Sequence, residues 1–359
     1  MPLLNVAIPA AVHTAFTYDS ANDIPVGSRV LVPFGKRKMV GIVVGKPNDE
    51  STKIKNIKSI ESVLDDKPVF DPKLVKLIKW ISSYYIAPIG EVCKIALPKR
   101  LWNIKTQKTN RTVAPIDIHS INDANIDLTE HQKDVLHTIV EEERKNHHAV
   151  FLLHGITGSG KTEIYLRIFE QIIKDGKQGL LLVPEIGLTP QLLGRTYTRF
   201  KDRVAVYHSG LTDAQRFSEW MKIRDGKIDV VIGTRSALFA PILNLGAIVV
   251  DEEHDSSYKQ DDGVTYNGRD AAIMRAHMAN IPIVLGSATP SLESIANVKR
   301  EKYRYCKLPE RPGGAKLPNV EIVDMRKSQK NEPRKFVALS PRLHNAISET
   351  LLRKEQTLL

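Results

Sequence analysis

A chain of 359 residues can hold two or three domains, and its only two cysteines, Cys93 and Cys306, are too distant in sequence to suggest a disulfide framework or a zinc site. With no run of about 18 apolar residues and no charged-then-apolar N-terminus, neither a membrane span nor a secretory leader is expected, and a reducing cytoplasm fits best. The formal charge of +11 is uneven, with +6 on residues 1–127, −3 on 128–298 and +8 on 299–359; basic flanks suit a polyanion such as nucleic acid, although a lysine-rich surface gives the same sum.

Residues 1–103 read as a small β-rich domain. Segments 6–9, 29–33 and 39–44 are short, apolar and bounded by turn residues, as strands are. Phe34-Gly35-Lys36-Arg37 supplies a basic turn between the last two. Leu74, Leu77, Ile78 and Ile81 recur at helical spacing, so 73–83 is predicted as an amphipathic helix. Residues 104–127 are polar and weakly periodic and read as a linker.

From residue 128 the period changes. Thr129 is a candidate cap for a helix over 130–144. Apolar runs at 149–153, 179–183, 204–207, 229–232, 245–250 and 283–285 then alternate with helical stretches. Such alternation predicts a right-handed parallel α/β sheet.

Two motifs on that sheet carry chemistry. Gly155-Ile156-Thr157-Gly158-Ser159-Gly160-Lys161-Thr162 fits G-x-x-x-x-G-K-[ST] between an apolar run and a helical stretch, 163–174. Glycines there let backbone N–H groups curl round phosphates, and the helix N-terminus adds its positive end. Lys161 is placed to reach the outer phosphates of ATP and Thr162 to hold Mg²⁺. Asp251-Glu252-Glu253-His254 follows the run 245–250. A carboxylate at the end of a buried parallel strand faces the crevice where α/β sheets bind ligands. Asp251 is expected to hold Mg²⁺, and Glu252 to orient and deprotonate the attacking water, which makes Lys161, Asp251 and Glu252 the catalytic set. Alone, each motif also reads as an ordinary turn; together they point to an ATP site.

These residues resemble the first motor lobe of superfamily 2 helicases. Gln132 matches the position that reads adenine. Val183-Pro184-Glu185-Ile186-Gly187-Leu188-Thr189-Pro190-Gln191 resembles motif Ia, Gly233-Thr234-Arg235-Ser236 motif Ib, and Ser287-Ala288-Thr289 motif III. Asp251 to Gln260, followed by Tyr266 and Arg269-Asp270, is similar to the PriA family of primosomal replication-restart helicases. The segments Phe16-Thr17-Tyr18, Val32-Pro33-Phe34-Gly35 and Tyr84-Tyr85 resemble that family's 3′-DNA-end-binding domain.

The resemblance implies a RecA-like P-loop motor lobe at 128–334, preceded by a β-rich DNA-binding domain at 1–103. It implies a 3′-to-5′ ATP-dependent DNA helicase that restarts stalled forks, with forked or single-stranded DNA, primosome proteins and single-strand-binding proteins as partners. Phe16, Thr17, Tyr18, Gly35 and Lys58 would form the 3′-end pocket. Thr234, Arg235, Tyr258, Lys259, Tyr266 and Arg269 would meet DNA, and His254, Ser287, Ala288 and Thr289 would couple it to ATP. The residues themselves leave alternatives open. Strand alternation puts Phe16 and Tyr18 on one face, which suits core packing as well as stacking. Lys58 also reads as a solvated lysine, and 256–269 as a surface loop.

The chain departs from the family in three places. Thr17 stands where the family has an acidic residue, so its contact with a 3′-hydroxyl would lack charge assistance. The linker 104–127 is too short for a winged-helix domain. Residues 335–359 read as the start of a second lobe, with 355–359 opening its first strand, so the chain is expected to be an N-terminal part of a longer enzyme and a poor ATPase by itself. Zinc is expected only in the family's C-terminal module. A non-enzymatic ATP- and DNA-binding fragment, or another superfamily 2 translocase, are the alternatives.

Overall fold

The computed structural model describes residues 1–47, 56–104, 127–310, 319–326 and 339–359. The chain forms two compact units, Met1–Gly313 and Gly314–Leu359.

Within the first unit the N-terminal part is a five-stranded antiparallel sheet. Its strands are β1 (Leu3–Ala7), β2 (Phe16–Asp19), β3 (Arg29–Phe34), β4 (Arg37–Gly45) and β5 (Ser62–Val63), in the order β2-β1-β4-β3-β5. The expected basic turn joins β3 to β4, with Gly35 at φ +59°, a conformation that costs glycine nothing. Alternation divides the strands between two cores. Val6, Tyr18, Val30, Val32 and Val43 pack on one face. Ala7, Ile42 and Val44 face the helices α1 (Pro72–Tyr84) and α2 (Ile89–Ala96). Asp71 caps α1 by accepting from the Leu74 N–H at 2.6 Å, and Pro72 fits the first turn, where no N–H is needed. The predicted apolar stripe Leu74, Leu77, Ile78 and Ile81 is the buried one.

The lobe that follows is a seven-stranded sheet whose pairs are all parallel. Its strands are β6 (Val150–Gly155), β7 (Gln178–Leu182), β8 (Val204–Tyr207), β9 (Val230–Gly233), β10 (Leu245–Val250), β13 (Ile283–Ser287) and β14 (Arg304–Leu308), in the order β14-β6-β13-β10-β7-β9-β8. A short hairpin, β11 (Lys259–Gln260) and β12 (Tyr266–Asn267), stands apart from it. The helices are α3 (Glu130–Arg144), α4 (Lys161–Lys174), α5 (Pro190–Phe200), α6 (Asp213–Arg224), α7 (Gly268–Ala279) and α8 (Leu292–Lys299). Thr129 and Gln132 form a reciprocal capping box at the start of α3, as Thr212 and Gln215 do at α6. No helix among the described residues is long and apolar enough to cross a membrane.

The antiparallel sheet and the lobe share one hydrophobic cluster. It runs from Ile42, Leu77 and Val92 to Ala272, Ile248 and Trp220. Arg275 of α7 is buried at this junction and donates to the carbonyls of Leu238 and Ala240. Burial pulls its guanidinium down to about 10.

In the second unit, α9 (Pro341–Leu352) is capped by Ser340, which accepts from the Leu343 N–H at 3.1 Å. Residues 355–359 form no strand. The expected linker lies outside the described residues apart from its ends.

Candidate nucleotide and nucleic-acid site

The phosphate loop joins β6 to α4. Gly158 and Gly160 adopt φ +81° and +88°, which lets the loop turn tightly into the helix. Gly160 is the α4 cap residue and has no side chain to satisfy the first helical N–H groups. The Ser159 hydroxyl is buried and has no hydrogen-bond partner among the described residues. Lys161 is 9% exposed; its Nζ donates to the Gly155 carbonyl at 2.9 Å and stands 3.9 Å from Glu252. These are unsatisfied donors at a helix N-terminus with a cation beside them, the chemistry that phosphate complements.

The sheet order explains why the acidic motif meets this loop. Strand β13 lies between β6 and β10, so their C-terminal ends open on one crevice. Tyr165, wholly buried on α4, donates to Asp251 Oδ1 at 2.9 Å. Burial pushes the Asp251 carboxyl up, as the neighbouring Glu252 does; Tyr165 and Lys161 oppose that rise. Glu252 sits at φ +44°, an uncommon backbone state for a residue with a side chain.

His254 bridges back to β13. Its Nδ1 lies 2.8 Å from Ser287 Oγ and its Nε2 3.3 Å from the Thr289 hydroxyl. The Thr289 N–H donates to the same Ser287 oxygen at 2.9 Å. Ala288 lies between them without a polar side chain.

Gln132 is brought to the phosphate loop, but its amide is already engaged. Its oxygen accepts from the Thr129 N–H, and its nitrogen donates to the Ser159 carbonyl, both at 2.9 Å.

In the N-terminal sheet, Phe16 meets Phe34 edge to face at 5.2 Å, beside the Gly35 turn. Thr17 donates to Asn5 at 3.0 Å. Lys58 is exposed, and its carbonyl accepts from the Asp19 N–H. Tyr18 requires a correction. It is buried in the core, with its hydroxyl on the Pro33 carbonyl, so it offers no face for a base.

The segment 256–269 is corrected in the same way. Tyr258 and Tyr266 are 1% and 3% exposed, and neither ring faces solvent. The Tyr258 hydroxyl lies 2.7 Å from the Asp251 carbonyl and 3.0 Å from that of Leu182, tying the ends of β10 and β7 together. Arg269 is spent on Glu253 and Asp270, each at 2.9 Å. Thr234 is buried, and Arg235 donates to the carbonyls of Ser257 and Lys259. Lys259 does stand in solvent.

Some residues that shape the site were missed. Glu253 is buried and accepts from Arg269, the Ser291 N–H and hydroxyl, and Ser294, joining the starts of α7 and α8. Glu163 accepts from Arg167, Arg195 and Arg199, joining α4 to α5. Tyr165 was hidden within an apolar helical stretch. The signal for Glu163 was a carboxylate on the buried face of a helix, which demands a partner.

A DEAD/DEAH box helicase family matches residues 129–298, so the parallel lobe is of the helicase class that its sheet order and phosphate loop define. The PriA 3′ DNA-binding domain (3′BD) matches residues 5–98. The chain is 38% identical over 367 residues to the replication restart protein PriA of Rickettsia felis, covering 100% of this chain and 53% of that protein. It is 36% identical over 396 residues to that of Haemophilus influenzae, covering 91% and 54%. The chain belongs to the PriA family and spans about half the length of these relatives. Among solved structures, the helicase MrfA bound to DNA is 19% identical over 53% of this chain and 27% of its own, with a TM-score of 0.38, too low to add to the assignment.

Proposed function

We propose that this chain is the DNA-binding and ATP-binding part of a 3′-to-5′ DNA helicase that restarts stalled replication forks. The observation that carries the reading is the single crevice formed by Ser159, Lys161, Asp251 and Glu252, at the ends of strands flanking β13. ATP with Mg²⁺ supplies a polarised terminal phosphate when bound. Backbone N–H groups of 158–162 and the Ser159 hydroxyl would hold phosphate oxygens, and Lys161 would exchange the Gly155 carbonyl for a phosphate. Thr162 and Asp251 would hold Mg²⁺, with Tyr165 fixing the Asp251 rotamer. Glu252 would take the proton of the attacking water. Gln132 would have to release one of its two hydrogen bonds to read adenine.

His254, Ser287 and Thr289 form the continuous polar link from that crevice to β13 and are the coupling set in this reading. Phe16, Thr17, Gly35 and Lys58 remain the candidates for a DNA end. Arg235 and Lys259 remain the candidates for the strand. Forked DNA is the proposed substrate and the primosome the proposed setting.

Lys161→Ala is expected to reduce ATP affinity by at least a hundredfold, since it removes the phosphate-reaching cation of the loop. Calorimetry with ATP and Mg²⁺ checks this. Near-normal affinity in a folded variant overturns the assignment.

A further inference from the structure

Glu253 is a buried carboxylate with no part in the chemistry described above, and it follows a strained residue. Glu252 has φ +44°. That left-handed state is costly for a residue with a Cβ and persists only where the surroundings enforce it. The backbone on either side is pinned to the sheet. The Asp251 N–H donates to the Leu182 carbonyl at 2.9 Å, and the Glu253 N–H to that of Gly286 at 3.0 Å. The Asp255 N–H closes the turn on the Glu252 carbonyl at 2.8 Å. These bonds fix where the turn lies, but not where its carboxylates point.

The two glutamates have separate partners. Glu252 stands at the crevice, with one oxygen 3.9 Å from Lys161 Nζ and the other 3.6 Å from His254 Nδ1. Glu253 is held at the starts of α7 and α8. It accepts from Arg269 Nη1 at 2.9 Å, from the Ser291 N–H at 2.7 Å and from the Ser294 hydroxyl at 2.9 Å, and the Ser291 hydroxyl lies 3.1 Å away. Arg269 is fixed in turn by Asp270 at 2.9 Å, and α1 of the N-terminal domain packs along α7. A buried ionised carboxylate cannot give up such partners without a large loss. Glu252 therefore cannot relax toward an ordinary backbone state without dragging Glu253 from its donors.

We propose that Glu253 and Arg269 are positioning residues for Glu252: their buried ion pair, anchored at the starts of α7 and α8, holds residue 252 in its left-handed state and so keeps its carboxylate at the crevice. This rests on the reading of Glu252 as the base and extends it, because the third residue of the acidic motif then aims the second.

The test compares Glu252→Gly with Glu252→Ala in the full chain by scanning calorimetry without nucleotide. Both lose the carboxylate, but only alanine keeps the Cβ that the left-handed state penalises. The glycine variant is expected to melt about 2–4 °C above the alanine variant. In a Glu253→Ala background that difference should fall below about half, the coupling expected of residues that act as one unit. Arg269 keeps Asp270 as its partner there, so no charge is left unpaired. Arg269→Lys keeps the charge but loses the fork that spans Glu253 and Asp270, cuts the pair from the other side and should give the same fall. Glu143→Ala is the control. It removes another buried carboxylate, paired with Lys177 at the end of α3 away from the phosphate loop, and should leave the difference intact. Equal melting of the glycine and alanine variants overturns the proposal, since residue 252 is then not strained. A difference that keeps more than half its size in either folded background also overturns it, because the strand bonds alone then hold the turn. An equal fall with Glu143→Ala overturns it as well, since general loosening then accounts for the effect. No nucleotide enters this measurement, so its failure leaves the ATP reading standing, and failure of that reading shows instead in the calorimetry of Lys161→Ala.

Discussion

Asp251 is held by two tyrosine hydroxyls, and neither faces solvent. Tyr165 fixes its carboxylate, and Tyr258 approaches its carbonyl. Burial raises the carboxyl pKa above that of an unfolded aspartate. The folded state therefore binds the proton more tightly. Stability from this group is fully present below the unfolded pKa and is lost as pH rises through the folded one. At neutral pH the ionised carboxylate is a standing cost, which Mg²⁺ would offset. Asp251→Asn, which keeps an oxygen for Tyr165, is expected to raise the melting temperature at pH 7.5 by about 1–3 °C while abolishing Mg²⁺-dependent nucleotide binding. The gain should shrink as pH falls toward 4. Scanning calorimetry of both proteins at several pH values reads this, and a variant that melts lower at pH 7.5 contradicts it. Sequence reasoning placed Asp251 correctly at a strand end. It misread Tyr18, Tyr258 and Tyr266 because an aromatic ring in a polar segment carries the same letter whether it stacks on a ligand or fills a core. Only the tertiary partner of its hydroxyl tells them apart.

The element scale was the most legible. Runs such as Leu245 to Val250 and Gly179 to Leu182 are apolar throughout because both faces of the lobe sheet are covered. Thr129 marked the start of α3, where the structure adds Gln132 as its reciprocal capping partner. Strand β14, Arg-Tyr-Cys-Lys-Leu, escaped notice because it is an edge strand with mostly polar, exposed residues. Helix α2 shows how packing overrides propensity. Gly90 lies in its first turn, where alanine would be favoured by about 1 kcal/mol on helix propensity alone. A Cβ there would stand 1.6 Å from the Ile8 carbonyl oxygen, on backbone that follows β1 directly. Gly90→Ala is expected to destabilise by about 1–3 kcal/mol through overpacking. Urea unfolding checks the sign: a stabilised variant means that the helix can shift away from β1.

At the scale of the molecule, the parallel lobe presents one side of a nucleotide site. In superfamily 2 motors, which the motifs resemble, ATP lies between two such lobes, and the second supplies an arginine finger. A finger of that kind is worth about 10³–10⁵ in rate where it has been measured. The described residues hold one parallel sheet, with Asp251 and Glu252 just past β10 and Lys161 and Thr162 at the start of α4. Bound to this polypeptide alone, a nucleotide would keep one face in water and lack that transition-state charge. Among the described residues there is no second parallel sheet for bound DNA to draw closed, so it could not organise the site. Residues 1–359 produced by themselves are therefore expected to bind ATP and single-stranded DNA but to release phosphate at less than about one thousandth of the rate of a protein carrying both lobes. Forked DNA should stimulate that release less than about twofold. The assay is phosphate release with and without forked DNA, with Glu252→Gln as the control for site-specific turnover. Strong DNA-stimulated hydrolysis that Glu252→Gln abolishes would mean that a second copy of the chain completes the site.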